Sequence, residues 1–265
     1  MLTVRQERSA RRERRERQVC GTRRTRGGAR RGLPVLLALC LAFCLALPAS
    51  AAARAADRSP GAASEGTSAR NPVVLVHGYN ADPGVWGALR ADLRAAGWTD
   101  AQLFSWGYDT HLSVNEVLAG RLAAYVEQVR RETGAARVDV VAHSFGSLVS
   151  RWYVKFGGGG AAVDHWVSLA GPNRGTSTAW ACALWDQACR DMTPGSYVLR
   201  NLNAGDPTPG AVKYATFWSG CDEVVNPDDS VPLAGALNTP VGCLAHNDLL
   251  GDEPTSAGVR AFLAS

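Results

Sequence analysis

The sequence predicts an α/β fold in which helices cover both faces of a mostly parallel, twisted sheet of about six strands. From about residue 71 onward, short β-branched runs alternate with longer amphipathic stretches, which is typical of repeated strand–helix units. The runs at 73–77 and 138–142 are dominated by apolar residues. Such runs are expected of strands that are buried on both faces of a parallel sheet.

The same patterns place the elements along the chain. Strands are predicted at 73–77, 101–106, 138–142, 165–170, 214–219 and 241–244. Helices are predicted, from apolar residues at helical spacing, at 85–96, 114–131, 146–156, 195–202 and 256–263. Four glycines at 157–160 follow a helix and precede a strand, the reverse of the order in a phosphate-binding loop, and therefore predict a turn.

Length and composition fit one globular domain. The 265 residues are 46% hydrophobic and 20% charged, near the averages for folded proteins, and leave little room for a second domain. The net charge of +4 is unevenly distributed, because residues 1–31 carry 12 Arg against 3 Glu whereas the rest of the chain has an acidic excess. No aromatic or glycine-rich binding module accompanies the basic leader, so nucleic-acid binding is not expected.

The leader instead indicates export. An apolar run at 33–47 has the length of a signal-peptide core, and Ala-Ser-Ala at 49–51 fits a cleavage pattern. We therefore expect an export signal at 1–51, a flexible linker at 52–70 and a folded domain at 71–265. The protein would be secreted and would have no stable membrane span after cleavage. An uncleaved anchor, the choice between general and twin-arginine export, and the true start codon stay open.

A serine in a strand–turn–helix context is the most specific feature. The segment 138–146 runs from a strand into Ala-His-Ser-Phe-Gly and then into a helix, as in the nucleophile elbow of α/β-hydrolases. Small residues at Ala142 and Gly146 allow strand and helix to approach closely. We expect Ser144 to project above the carboxyl edge of the sheet, where open parallel sheets bind ligands, and to act as nucleophile.

A second motif predicts an oxyanion site. The first strand ends in His-Gly-Tyr-Asn, the form of the loop that stabilises a tetrahedral intermediate in these hydrolases. The expected donors are the backbone N–H groups of Tyr79 and Phe145, and Gly78 would permit close approach of the chain. His77 and His143 are interpreted as packing or hydrogen-bonding groups.

In this fold the nucleophilic serine, the acid and the histidine follow one another in that order along the chain. The base must therefore come after the serine, where the sequence has two histidines. His165 begins a strand at the wrong edge of the sheet, whereas His246 lies in a loop at the carboxyl edge and is the expected base. Asp222 is the expected acid because it follows closely on the end of a strand. It is preferred to Asp228, its main competitor, and to Glu223 and Asp229. Three further groups are interpreted as ordinary polar or solvated residues: His111, Asp191 and Asp206.

Cysteine usage agrees with export and with this site. Four of the seven cysteines lie outside the leader, and an even number in a secreted chain predicts two disulfides. A Cys221–Cys243 disulfide would tie together the loops of the acid and the base. Cys182 and Cys189 would then pair within an excursion at 180–191 that would partly cover the site. No cysteine pair has the spacing of a zinc site, so no metal is expected.

Together these motifs resemble the small bacterial secreted triacylglycerol lipases of class 2. The likeness rests on the segments at 76–80, 142–146, 168–176, 221–222 and 243–246, and it covers about residues 71–265. It implies a minimal α/β-hydrolase with a six-stranded parallel sheet and a Ser144–Asp222–His246 triad. It also implies hydrolysis of glycerol esters without a cofactor.

Three functions follow from these features. The preferred one is a secreted carboxylic ester hydrolase, a lipase or esterase, that acts as a monomer on lipid or other esters, including esters at a lipid–water interface. A polyester depolymerase or a thioesterase would use the same triad. A non-catalytic ligand-binding homologue is the least favoured, because nucleophile, base, acid and oxyanion loop are all present.

Overall fold

The computed structural model describes residues 70–112 and 114–265. The predicted export signal at 1–51 and the linker at 52–70, except its last residue, lie outside this range. The strands are β1 Val73–Val76, β2 Leu103–Trp106, β3 Val138–His143, β4 Val163–Leu169, β5 Lys213–Trp218 and β6 Leu237–Pro240. The helices are α1 Gly87–Ala95, α2 Asn115–Thr133, α3 Phe145–Phe156, α4 Gly159–Ala162, α5 Gln187–Met192, α6 Tyr197–Asn203 and α7 Glu253–Leu263. None of these helices has both the length and the apolar content needed to cross a bilayer.

The six strands form one sheet in the order β2-β1-β3-β4-β5-β6, and every neighbouring pair is parallel. This confirms the predicted fold class. Because all strands run in the same direction, the loops that follow β1, β3 and β5 meet at one edge of the sheet. The site is built at this carboxyl edge.

Alternate residues of β1 belong to two different apolar layers. Val73 and Leu75 pack in the layer that contains residues of α1 and α7, whereas Val74 and Val76 pack in the layer that contains residues of α2 and α3. All four side chains are fully buried, and each buried side chain of this size stabilises the fold by about 1.5–3 kcal/mol. The strand is therefore apolar on both faces, which explains its uninterrupted apolar pattern.

The prediction of a last strand at 241–244 is wrong. The last strand is β6, which lies four residues earlier and pairs with β5 as the edge of the sheet. It contains Pro240 and exposes Leu237, so it lacks the apolar signal of a buried strand, and proline is tolerated only at such an edge. Asn238 fixes the edge, because its side-chain oxygen accepts hydrogen bonds from the Thr216 hydroxyl at 2.7 Å and the Leu233 N–H at 2.9 Å.

Helix α2 is capped by a residue that is distant in sequence. No side chain at its own N-cap position, Val114, makes a cap hydrogen bond. Instead Asp191, in α5, accepts a hydrogen bond from the Asn115 N–H at 3.0 Å and another from Gln187 at 2.8 Å. Asp191 is only 5% exposed, so its interpretation as a solvated surface charge is wrong. Asp206, by contrast, is exposed as expected.

Burial raises the pKa of Asp191 to about 6, against the opposing effect of its hydrogen bonds from Gln187 and Asn115. A group with a raised pKa binds its proton more tightly in the folded than in the unfolded chain. Stability is therefore lost as the pH rises from about 4 to above 6, through the pKa of the folded state.

We expect Asp191→Asn to remove this pH dependence, since asparagine keeps an oxygen for the Asn115 N–H without a buried charge. The free energy of unfolding of the variant should equal that of the wild type near pH 4.5 and exceed it by about 1–3 kcal/mol at pH 7.5. Urea unfolding at the two pH values measures this difference, with Asp206→Asn as an exposed-carboxylate control. A difference between variant and wild type that is the same at both pH values would contradict the assignment.

Candidate active site

Ser144 occupies a strained turn between β3 and α3. Its backbone has φ +52° and ψ −127°, a conformation that non-glycine residues adopt only when the surrounding structure enforces it. Two hydrogen bonds hold the turn: the Ser144 N–H donates to the Leu169 oxygen, and the Ser147 N–H donates to the Ser144 oxygen, both at 2.9 Å. The side chain is nearly buried and lines a cavity at the carboxyl edge.

Small neighbours make this turn possible. A Cβ at Gly146 would lie 2.4 Å from the backbone oxygen of His77, closer than real contacts allow. A Cβ at Gly78 would lie 2.8 Å from the Cβ of Ser144. The first turn of α3 therefore passes directly over the end of β1, and Ala142, fully buried before the turn, completes the set of small residues.

His246 and Asp222 form a buried pair beside this cavity. His246 Nδ1 lies 2.8 Å from Asp222 Oδ2 and 3.0 Å from Oδ1. The N–H groups of Val224 and Val225 donate to the same carboxylate at 2.9 and 2.8 Å. Burial alone would raise the pKa of Asp222, but the hydrogen bond and charge of His246 and these two N–H groups outweigh it and lower the pKa. The ionised carboxylate holds the proton on Nδ1 and leaves Nε2 as the basic atom.

Two other carboxylates considered from the sequence make other contacts. Glu223 accepts a hydrogen bond from the His246 backbone N–H at 3.0 Å, which sequence reasoning missed. Asp228 accepts from the N–H of Asp229 at 3.0 Å. Within the described part of the chain, Asp222 is the carboxylate that contacts the His246 ring.

The other histidines pack around the site or lie away from it. His143 is buried against His246, whose backbone oxygen lies 3.3 Å from its Nε2, and burial, with the nearby His246, lowers its pKa to about 3. His77 stacks on Tyr108 at 4.4 Å between ring centroids. Both are packing and hydrogen-bonding groups, as predicted. His165 lies near the amino end of β4, 2.8 Å from Asp139, at the opposite edge of the sheet.

Both predicted disulfides are present. Cys221–Cys243 joins the loop of Asp222 to the loop of His246, and Cys182–Cys189 closes a short segment between β4 and β5. Ser219 makes a second connection between the loop of Asp222 and the loop of His246. Its hydroxyl donates to the Leu244 oxygen at 2.7 Å and accepts from the Leu244 N–H at 2.8 Å. The geometry of the His246–Asp222 pair is therefore fixed by a covalent and a polar crosslink.

Ser144 and His246 line the same cavity, which has a volume of about 310 Å³. This lies at the small end of the range for ligand pockets. Its apolar lining comes from Ala81, Val85, Pro172, Ala179, Met192, Val224, Val225 and Leu250. Such a lining suits an acyl chain next to a reacting carbonyl.

The two expected oxyanion donors belong to segments that adjoin Ser144. Tyr79 follows Gly78 and lines the cavity, and Phe145 is the first residue of α3. In residues 70–112 and 114–265, neither N–H has a hydrogen-bond acceptor. The first N–H groups of a helix have no partner within the helix and are suited to stabilising an anion.

His111 lies in a loop, as expected, but it is not an ordinary loop residue. Its Nδ1 lies 2.5 Å from Asp186 Oδ2, and its Nε2 lies 2.5 Å from the side-chain oxygen of Asn80. These partners are 75 and 31 residues away in sequence, and no local pattern reports a contact between segments so far apart.

Comparison with known proteins identifies the family. Residues 70–232 match the family model described as lipase (class 2). The chain belongs to the class 2 lipase family. This class 2 lipase is accordingly a carboxylic ester hydrolase of the serine type, in agreement with the prediction from sequence.

Solved structures show the same fold at low sequence identity. The mature lipase BlEst2 of Bacillus licheniformis has a TM-score of 0.65 and 17% identity, over 74% of this chain and 93% of that chain. Lipase B of Aspergillus fumigatus has a TM-score of 0.64 and 19% identity, over 78% and 55% of the two chains. The lin2722 product of Listeria innocua has a TM-score of 0.55 and 12% identity, over 73% and 94%. At these identities the likeness shows the α/β-hydrolase fold.

We expect Gly146→Ala to disrupt the elbow, because the added methyl group meets the backbone of β1. Overpacking of this kind costs about 1–3 kcal/mol and should shift the Ser144 turn, with a fall in esterase activity. Gly120→Ala is the matched control, since Gly120 is exposed in α2 and an added Cβ meets nothing within 4 Å. It should stabilise the protein by up to about 1 kcal/mol. Thermal unfolding and hydrolysis of a p-nitrophenyl ester measure both variants, and wild-type stability with wild-type activity in Gly146→Ala would contradict the packing analysis.

Proposed function

We propose that this class 2 lipase hydrolyses acylglycerols and similar carboxylic esters through an acyl-enzyme on Ser144. His246 is the general base, Asp222 orients it, and the N–H groups of Tyr79 and Phe145 bind the oxyanion. The observation that carries the proposal is the buried His246–Asp222 pair, whose histidine lines the same cavity as the strained serine. A buried carboxylate that fixes the tautomer of a histidine next to a nucleophile is the arrangement of hydrolytic triads.

In this mechanism the Ser144 hydroxyl attacks the ester carbonyl while His246 Nε2 takes its proton. The negative oxygen of the tetrahedral intermediate accepts hydrogen bonds from Tyr79 and Phe145, each worth about 3–4 kcal/mol in such sites. His246 then donates the proton to the leaving alcohol, and the acyl group remains on Ser144. Water, deprotonated by His246, attacks the acyl-enzyme. The second intermediate then collapses, His246 returns the proton to the Ser144 oxygen, and the acid is released.

A polyester depolymerase or a thioesterase would use the same groups. The apolar cavity of about 310 Å³ favours an acyl chain in the site. Rates on p-nitrophenyl esters of increasing chain length, on tributyrin, on a polyester film and on an acyl thioester separate these activities. Hydrolysis confined to thioesters would contradict the lipase proposal.

We expect Ser144→Ala to lower kcat for tributyrin by at least about 10³-fold, because it removes the nucleophile. Asp222→Asn should lower kcat by about 10²–10⁴-fold, because an amide no longer holds the required tautomer of His246. Asp228→Asn is the matched control, a neighbouring carboxylate without contact to the imidazole, and should stay within about twofold of the wild type. Loss of activity in Asp228→Asn but not in Asp222→Asn would reassign the acid.

The same proposal includes export. An export signal at 1–51 and a linker at 52–70 would deliver the domain at 71–265 as a secreted monomer. Two disulfides support this, because disulfides persist in oxidising compartments outside the cytosol. N-terminal sequencing of the secreted protein tests the cleavage site, and size-exclusion chromatography tests the monomer.

We further propose that the enzyme acts at a lipid–water interface. Three large apolar side chains near the cavity are exposed: Trp180 by 61%, Leu184 by 88% and Trp185 by 72%. They flank or lie within the segment closed by Cys182–Cys189, and both of those cysteines line the cavity. An exposed apolar surface that contains tryptophan suits the boundary between water and lipid.

We expect the double variant Leu184→Ser/Trp185→Ser to lose activity selectively on aggregated substrate. Hydrolysis of emulsified triolein should fall about tenfold or more, because less apolar area enters the lipid, while hydrolysis of dissolved p-nitrophenyl acetate should change less than about twofold. Leu237→Ser is the control, since Leu237 is an exposed leucine on β6. Equal losses on both substrates, or none, would contradict the interfacial proposal.

A further inference from the structure

A cluster of polar side chains joins the oxyanion loop to the segment of residues 182–189. The Tyr79 hydroxyl donates to Asp186 Oδ2 at 2.9 Å, and His111 Nδ1 lies 2.5 Å from the same oxygen. His111 Nε2 reaches the side-chain oxygen of Asn80 at 2.5 Å. Asp186 therefore contacts Tyr79 directly and contacts Asn80 through the imidazole of His111.

Asp186 is held in place on its other side. Its Oδ1 accepts the N–H groups of Ala188 at 2.9 Å and Cys189 at 3.3 Å, and so caps helix α5. Burial alone would raise the pKa of Asp186, but the hydrogen bonds from Tyr79, His111 and Cys189 outweigh it and lower the pKa. A carboxylate that is ionised, buried and bonded through both oxygens has little freedom to move, and therefore provides a rigid anchor.

The oxyanion loop needs such an anchor. Asn80 has φ +54°, in the left-handed region, which non-glycine residues adopt only at a cost of about 1 kcal/mol or more. Its backbone N–H donates to the Thr110 hydroxyl at 3.2 Å, and the Ala81 N–H donates to the Gly78 oxygen at a long 3.3 Å. The direction of the Tyr79 N–H depends on this turn, because the turn orients the peptide that carries it.

We propose that Asp186 and His111 are positioning residues, which hold the Tyr79–Asn80 turn so that the Tyr79 N–H points at the oxyanion. This inference rests on the proposed function, because it assumes that Tyr79 supplies an oxyanion donor. Neither residue is among those that line the catalytic cavity, so each acts on the reaction through the loop. They therefore lower the free energy of the tetrahedral intermediate and of its transition state, where the oxyanion forms. They change the free energy of ester binding little.

Tyr79→Phe tests the inference with the least disturbance, because it removes the hydroxyl that binds Asp186 and leaves the N–H and the ring in place. We expect kcat for a dissolved p-nitrophenyl ester to fall about tenfold while KM stays within about twofold, as for loss of an interaction made in the transition state. The affinity for a boronic acid, which forms a tetrahedral adduct with the serine, should weaken by a similar factor. Tyr197→Phe, an exposed tyrosine of α6, is the matched control.

Two further comparisons separate positioning from general stability. Asp186→Ala and Tyr79→Phe remove the same hydrogen bond, so their combined effect on kcat should be smaller than the product of the single effects. His111→Leu should also lower kcat, and His111→Gln should restore part of it because glutamine can donate to Asp186. Thermal unfolding of each variant shows that the activity is measured on folded protein.

The proposal is overturned if Tyr79→Phe keeps wild-type kcat and boronate affinity, if the loss lies in KM alone, or if kcat falls only in proportion to the folded fraction. Ser144→Ala is a separate test, of the proposed triad alone. An active Ser144→Ala would refute the triad itself, whereas an inactive Ser144→Ala with a normal Tyr79→Phe would refute only the positioning role.

Discussion

The close contact between the first turn of α3 and the end of β1 is the constraint on which the site depends. Ser144 holds a strained backbone conformation, and Gly146 leaves no space for even a methyl group against the backbone of β1. Such strain persists only where packing on all sides over-determines it. The fully buried residues of β1 and β3 provide that packing, so the position of one hydroxyl at the sheet edge is maintained by the apolar core beneath it.

The remaining parts of the site come together because the strands are parallel. Loops that leave the carboxyl ends of β1, β3 and β5 meet at one edge. There Asp222 contacts His246, and His246 lines the same cavity as Ser144, although Asp222 lies 78 residues after Ser144 in the sequence. The segment between β5 and β6, which carries Asp222, spans residues 219–236 and is too long to be ordered by the sheet alone. The Cys221–Cys243 disulfide and the paired hydrogen bonds of Ser219 fix the position of Asp222 relative to His246. The cluster around Asp186 has the corresponding role for the oxyanion loop.

The sequence predicted those features whose cause is local. Runs dominated by apolar residues identified β1 and β3, and the small residues on either side of Ser144 identified the elbow, because each follows from a backbone requirement within a few residues. The edge strand β6 was missed, since it is exposed and contains Pro240. The cap of α2 by Asp191 and the contacts of His111 were missed for another reason, because they join segments 31 to 76 residues apart. Periodicity carries no information about such contacts.

The central claim is that one cavity aligns the Ser144 hydroxyl with the N–H groups of Tyr79 and Phe145. A crystal structure of the enzyme after reaction with an alkyl phosphonate ester tests this most directly, because the adduct mimics the tetrahedral intermediate. We predict phosphorus bonded to Ser144 Oγ, with one phosphonate oxygen within about 2.7–3.1 Å of both nitrogens. Phosphorus bonded to another residue, or an oxygen that faces away from both N–H groups, would contradict the account.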